Sequence, residues 1–192
     1  MSCRLACPLI AALERTADRR AELARAAYEM IAERGVDGLS LRAVARRFGA
    51  TTGLVSHHFL DRAELVQAAL DHATAVITER ILAVAADADP LTILAEVLPT
   101  DAATIENWRF ALAVRVGSLA DTDLAPFDQA ITRRWTEGLP ARLVGHVDTD
   151  PDVAAAHLMT LVDGIALRAV LDPGAWPRER QLDHLRRGLA AL

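Results

Sequence analysis

Lysine is absent from the 192 residues, so every fixed side-chain cation is an arginine, and aromatic residues make up only 4%. A core with so few rings has to be filled by Leu, Ala and Val, which suits packed helices. The only cysteines, Cys3 and Cys7, are too few for a zinc quartet or a disulfide framework and read as reduced thiols. No uncharged apolar run approaches the ~18 residues of a membrane span. The apolar run that follows Arg4 is short for a signal peptide and has no convincing cleavage site before Glu14. No proline lies between Pro8 and Pro90, so nothing interrupts helices there. Strand patterns, internal repeats and low-complexity tracts are lacking as well. What remains is a chain with 52% hydrophobic residues. It is expected to be an all-α, cytoplasmic protein of about nine helices, with no cofactor and no membrane contact.

Charge is unevenly spread. Residues 1–62 hold 10 Arg against 7 Asp and Glu, a balance of +3, and residues 63–192 hold 11 Arg against 19, a balance of −8. A net charge of −5 would argue against nucleic acid if it were uniform. A mildly basic pole on an acidic body instead lets phosphates approach from one side.

The basic part contains the most informative stretch, residues 19–59, RRAELARAAYEMIAERGVDGLSLRAVARRFGATTGLVSHHF. From 18 to 34, Leu23, Ala26, Ala27, Met30 and Ile31 fall on one helical face, and Gly35 and Gly38 bracket a stop. Ser40 is placed to cap a second helix, with Leu41, Val44, Ala45 and Phe48 inward. Gly49 supplies a sharp turn. Thr51 or Thr52 caps a third helix, in which Val55 and Phe59 have core spacing. Asp61-Arg62-Ala63-Glu64 is a capping box that opens a fourth. Two short helices joined this way form a head whose second helix fits a DNA major groove.

These residues resemble the N-terminal domain of TetR-family transcriptional regulators. The resemblance rests on RR…AA…IAERG, SLRAVARRFGATTGLVSHHF and the acidic-basic-x-Glu-Leu start of the fourth helix. Ser56 stands where many members carry Tyr, and this variant looks like the choline-responsive BetI-type subgroup. Asn107-Trp108-Arg109-Phe110 and Leu161-Val162-Asp163-Gly164 are weakly similar to the same subgroup. Residues 1–17 read as a flexible extension, and the resemblance implies a DNA-binding domain at 18–62 with its helix-turn-helix at about 40–59, and a ligand-binding and dimerisation domain at 63–192. It implies a repressor that binds a pseudo-palindromic double-stranded operator as a homodimer and is released by a small-molecule effector. A ligand-dependent activator and a non-DNA-binding helical adaptor remain alternatives.

The implied DNA contacts are Thr51, Thr52, Gly53 and Leu54 at base edges or backbone, and Ser56 and His57 at phosphate or base. Arg62 is implied at phosphate, and Ser40 and Arg42 at the backbone. His57 and His58 are alternatively a partly buried pair that holds the turn, and Arg46 and Arg47 a solvated face. Neighbouring helical histidines point about 100° apart, which disfavours a metal site.

Further on, Pro90, Pro99, Thr100-Asp101, Gly138, Pro140 and Asp150-Pro151 punctuate helices at 91–98, 101–120, 124–147 (interrupted), 152–171 and 178–191. The helix at 152–171 is apolar on more than one stripe. Ala155, Leu158, Val162 and Ile165, with Leu182, Leu185 and Leu189 of the last helix, are therefore expected to pair with a second copy. For the effector, Trp108, Leu112, Arg115, Phe127, Ile131 and Trp135 are the expected ligand-binding residues. The rings either cradle a quaternary ammonium or pack the core, the commoner fate of such a stripe. Arg115 in a cavity would favour a carboxylate instead. An iron-carboxylate enzyme bundle needs Glu-x-x-His pairs, which do not occur, so no catalytic residue or metal ligand is expected.

Overall fold

The computed structural model describes residues 8–84 and 88–192, and side chains from Thr16 onward except those of Arg134 and Trp135. Cys3 and Cys7 therefore lie outside the described residues. Within them, ten α-helices and one 3-10 turn form the fold, without strands.

The first helix, α1 (Pro8–Arg34), buries Leu23, Ala27 and Ile31 completely and Ala24, Ala26, Tyr28 and Met30 nearly so. It begins ten residues before the expected Asp18. Pro8 suits a first helical turn, and the Ala, Leu, Glu and Arg that follow are strong helix formers. Residues 8–17 are thus helix, not the expected flexible extension. Gly35, at φ +81°, ends it, its N–H donating to Ile31 O at 2.9 Å.

Next come α2 (Leu41–Phe48) and α3 (Thr52–His58), joined by Gly49-Ala50-Thr51. The Ser40 hydroxyl accepts from Ala43 N–H at 3.1 Å, and Thr51 Oγ1 accepts from Leu54 N–H at 3.2 Å, so each short helix carries a side-chain cap. Gly49 adopts φ +68°, and Ala50 N–H reaches back to Ala45 O at 2.9 Å, closing α2 in the left-handed conformation that glycine favours. Val44, Val55 and Phe59 are buried in one core with Leu23, Ala27 and Ile31 of α1, while Leu41 and Phe48 are half-buried.

Two arginine clamps fix this head. Arg47 holds Glu33 at 2.7 and 2.8 Å and Glu29 at 3.2 Å, tying α2 to α1. Arg20 lies 4.3 Å above the Phe59 ring and donates to the His58 carbonyl, tying α1 to the end of α3. In α4 (Arg62–Ala83), Asp61 Oδ1 accepts from Glu64 N–H at 2.9 Å, the expected cap. Glu64 accepts from Leu60 N–H at 2.9 Å, one residue further back than a capping box requires.

The body continues through α5 (Pro90–Ala95), α6 (Ala102–Ser118), a 3-10 turn (Thr122–Leu124), α7 (Ala125–Thr136), α8 (Leu139–Leu143), α9 (Pro151–Leu171) and α10 (Arg178–Leu189). Asp101 and Thr104 form a complete capping box on α6, and Asp150 Oδ1 caps α9 by accepting from Asp152 and Val153 N–H. Head and body are not separate in packing. Phe110, Ala111 and Val114 of α6, with Leu124 and Ile131, share one apolar core with α1–α4. A second core joins the far end of α4 to α5, α6, α8, α9 and α10.

That second core corrects the expected dimer surface. Ala155, Leu158, Val162, Ile165 and Leu185 are all buried inside the protomer, and Leu182 and Leu189 are half-buried against the same core. The inner face of α9 is needed to close the body around Trp108 and Leu143. Its outer face exposes Val153, Ala156, His157, Thr160, Gly164, Leu167 and Leu171. By length and composition α9 is apolar enough to cross a membrane, and these two faces account for that.

Phe59 anchors α3 from within. Phe59→Ala is expected to destabilise by about 3–5 kcal/mol through cavity formation, and Gly49→Ala by about 1 kcal/mol through its backbone conformation. Urea unfolding followed by circular dichroism measures both.

Candidate nucleic-acid interface and body cavity

With Val55 and Phe59 turned inward, α3 presents Thr51, Thr52, Gly53, Ser56 and His57 to solvent and Leu54 at its edge. Thr51 Oγ1 is engaged in capping, and Ser56 Oγ donates to Thr52 O at 3.0 Å. The Thr52 hydroxyl has no partner among the described residues, so it is available to a base or phosphate. On α2, Arg42 and Arg46 are exposed, and neither has an ion pair among the described residues. Ser40 is exposed with its hydroxyl holding the cap. His58 is half-buried, its ring 5.3 Å from that of His57. Burial holds its pKa below the usual imidazole value, with the neighbouring His57, Arg20 and Arg19 charges adding to the effect.

Two arginines depart from expectation. Arg47, although exposed, is paired with Glu29 and Glu33 and serves as the α1–α2 clamp. Arg62 turns inward: its guanidinium donates to Asp121 Oδ2 at 3.1 Å and to Val36 O at 3.2 Å. The first turn of α4 lies beside the α6–α7 link, and Asp121 there neutralises Arg62. The implied phosphate contact is therefore an internal tie between head and body.

A cavity of about 230 Å³ lies in the body. One wall is the α4 series Leu70, Ala73, Thr74, Ile77, Thr78 and Ile81. Facing it are Ile93, Leu94 and Val97 near α5, Asn107, Phe110 and Ala111 of α6, Ile131 of α7 and Met159 of α9, and Glu137, Gly138, Leu139 and Arg142 border the α7–α8 corner. The Asn107 side chain is 3% exposed, and its Oδ1 has no hydrogen-bond partner. An orphaned buried carbonyl of this kind costs the protein about 1–3 kcal/mol.

Of the expected ligand-binding residues whose side chains are described, only Ile131 lines this cavity. Trp108 is fully buried, its indole N–H donating to Val97 O at 2.6 Å. Leu112 packs on the second core and Phe127 on the first. Arg115 is held by Asp128 at 3.1 Å and Asp163 at 3.2 Å. Burial opposes its charge, yet the two carboxylates outweigh burial and raise its pKa. Trp108, Arg115 and Ile131 also border a separate void of only about 20 Å³, room for roughly one water. The Trp135 side chain lies outside the described residues. An aromatic stripe fills core before it lines a pocket, and here Trp108 and Phe127 do so. The missed residues were marked in the sequence. Positions 70, 73, 74, 77, 78 and 81 follow helical spacing, with two Thr interrupting the apolar stripe, and Asn107 is a polar intruder in an otherwise apolar face.

Comparison with known proteins decides the family. Residues 23–69 match the model for bacterial regulatory proteins of the tetR family, and residues 87–192 that for the C-terminal part of BetI-type transcriptional repressors. The chain belongs to the TetR family of transcriptional regulators. Its members are regulators rather than enzymes. It is 34% identical over 165 residues to the HTH-type transcriptional regulator PksA of Bacillus subtilis, covering 81% of this chain and 80% of that one. It is 32% identical over 168 residues to the regulator BetI of Burkholderia ambifaria, covering 81% and 84%. A crystal structure of a transcriptional regulator from Rhodococcus sp. Rha1 superposes with a TM-score of 0.77 at 30% identity, covering 88% of this chain and 92% of that one.

The regulator also carries a half-buried His72 on α4, edge-on to Tyr28 at 5.0 Å, with Tyr28 in turn against Phe110 at 5.2 Å. Burial, reinforced by Arg25, lowers the His72 pKa. The folded pKa values of His58 and His72 thus lie below the unfolded one, so on acidification the unfolded chain takes the proton first. Stability should fall as pH drops below about 6.5. His72→Gln should flatten that slope, as read from urea midpoints between neutral and mildly acidic pH.

Proposed function

We propose that this regulator is a homodimeric repressor whose α3 reads the major groove of a pseudo-palindromic operator and whose body cavity takes the effector that releases it. The observation that carries this reading is the open polar side of α3, held outward by Val55 and Phe59. On this reading residues 18–62 form the DNA-binding unit and 63–192 the effector and dimerisation unit, acting in the cytoplasm. Thr52 and Leu54 meet base edges, the Leu54 side chain suiting a thymine methyl. Gly53 lets the backbone approach, Ser56, His57 and Arg42 meet phosphates, and Thr51 and Ser40 position their helices by capping. Arg62 acts as a tie, not a contact. The match of residues 87–192 to a BetI-type repressor model favours repression over activation.

The dimer is assigned to the outer face of α9. Ala156, Thr160 and Gly164 recur every fourth residue, so a symmetry-related α9 can approach closely, and Val153, Leu167 and Leu171 supply apolar rims. A groove beside them, lined also by Leu161, Trp176 and His184, gives a partner helix a seat. Two copies related by a two-fold axis then set their α3 helices about 34–36 Å apart, one turn of duplex.

Release follows from shared walls. Leu70, Ala73, Phe110, Ala111 and Ile131 belong both to the cavity and to the first core. A ligand that favours a wider α4–α6 gap favours altered α3 spacing, and it weakens operator binding by its differential affinity for that state.

Anisotropy titrations of labelled duplexes at several salt concentrations test the interface. Arg42→Ala should weaken all sequences about equally and lower the salt slope by about 1 per protomer, whereas Thr52→Ala should change preference at particular bases by about 1–3 kcal/mol. A non-DNA-binding adaptor would show no duplex binding at any salt. Paired Thr160→Arg and Gly164→Arg substitutions should yield a monomer by sedimentation velocity and weaken operator binding about a hundredfold through lost bivalency.

A further inference from the structure

The resemblance to BetI-type regulators implies a quaternary ammonium ligand, but the cavity offers that cation little. Several aromatic faces within about 6 Å are what such a cation requires. Among the described lining residues the one aromatic wall is Phe110, 1% exposed and already packed against Tyr28. The one carboxylate among the described lining residues, Glu137, sits at the edge with a 66% exposed side chain, 3.7 Å from Arg133. The one guanidinium among the described lining residues, Arg142, is likewise exposed at the α7–α8 corner, so an ion of either sign carried to the interior would lose its hydration without a counter-charge at depth.

What the interior does offer is aliphatic surface and one unsatisfied amide. Leu70, Ile77, Ile93, Leu94 and Met159 form most of it. The lining positions on α4 run from Leu70 to Ile81, about 16 Å at helical rise, which makes the wall long and narrow. At about 230 Å³ the space exceeds the ~150 Å³ that suffices for benzene. Asn107 Oδ1 is buried and without a donor, so a ligand that brings one satisfies an acceptor left wanting in the empty protein.

We propose that the cavity takes a neutral, slender aliphatic molecule ending in a hydroxyl or amide group, and that this group donates a hydrogen bond to Asn107 Oδ1. The inference rests on the reading of the cavity as the effector site, and it narrows that site's chemistry. Asn107 belongs to α6, so the polar end lies on the α6 side of the cavity and the tail runs along the aliphatic α4 wall.

Isothermal titration calorimetry on the purified full-length protein, with 1-octanol, octanoate and choline as probes, tests this. The expected result is 1-octanol binding at least about tenfold tighter than either charged probe. Asn107→Leu should weaken 1-octanol about fivefold while raising the melting temperature of the ligand-free protein, because the orphaned amide is gone. Ala73→Leu, which fills the cavity, should abolish binding while helical circular dichroism is retained. Choline binding as tightly as 1-octanol would overturn the proposal. So would unchanged 1-octanol affinity in Asn107→Leu, or in a folded Ala73→Leu. Duplex binding, measured separately, separates the two readings. Cavity binding of 1-octanol that leaves duplex affinity unchanged supports the ligand class and removes effector release, whereas tight choline binding that releases duplex does the reverse.

Discussion

Helix α6 packs against both halves of the molecule, and the arrangement depends on that double contact. Phe110, Ala111 and Val114 lie in the same core as Leu23, Ala27 and Ile31 of α1 and Leu65, Ala69 and Leu70 of α4. Trp108 of the same helix faces the second core, with α8, α9 and α10. Close-packed interiors do not absorb displacement softly. A helix wedged between two cores therefore cannot shift against one without moving the other, and α3 inherits its orientation from a body it scarcely touches.

Polar ties refine this frame more than they strengthen it. Partly exposed ion pairs such as Arg47–Glu33 and Arg62–Asp121 each contribute little free energy, but they fix angles that apolar contact leaves loose. Arg47 sets α2 on α1, and Arg62 sets the start of α4 beside Asp121. Gln181 does the same for the body, its amide donating to Pro99 O at 3.2 Å and Trp176 O at 2.9 Å, which anchors α10 to the loop before α6.

Helix boundaries were legible from local chemistry. Ser40, Thr51, Asp61, Asp101 and Asp150 cap where their types and positions say they should, because a cap is made with backbone two or three residues away. The same locality explains the family resemblance in the head. The site in the body was less legible. Hydrophobic periodicity marks Leu158, Val162 and Ile165 as buried but does not say whether the burying surface belongs to the same chain or to a second copy. A cavity exists where six helices fail to meet, and no single stripe encodes that. The rings of Trp108 and Phe127 attracted attention by size, whereas Asn107 and the threonines of α4 mark the cavity by being polar where their neighbours are not. The start of α1 was not legible because its early residues, Leu9 to Leu13, form a continuous apolar run rather than one periodic stripe, and charged Glu14, Arg15 and Asp18 separate that run from the amphipathic part.

The way the head distributes its guanidinium groups has one more consequence. Arg47 and Arg62 are neutralised within the molecule by Glu29, Glu33 and Asp121, and Arg20 leans on Phe59. On the proposed reading, each protomer therefore meets the duplex with few unclaimed cations and displaces few condensed counterions. Its hold on arbitrary genomic sequence is correspondingly slack, and discrimination has to come from side-chain fit along α3 and from the two-fold spacing of paired heads.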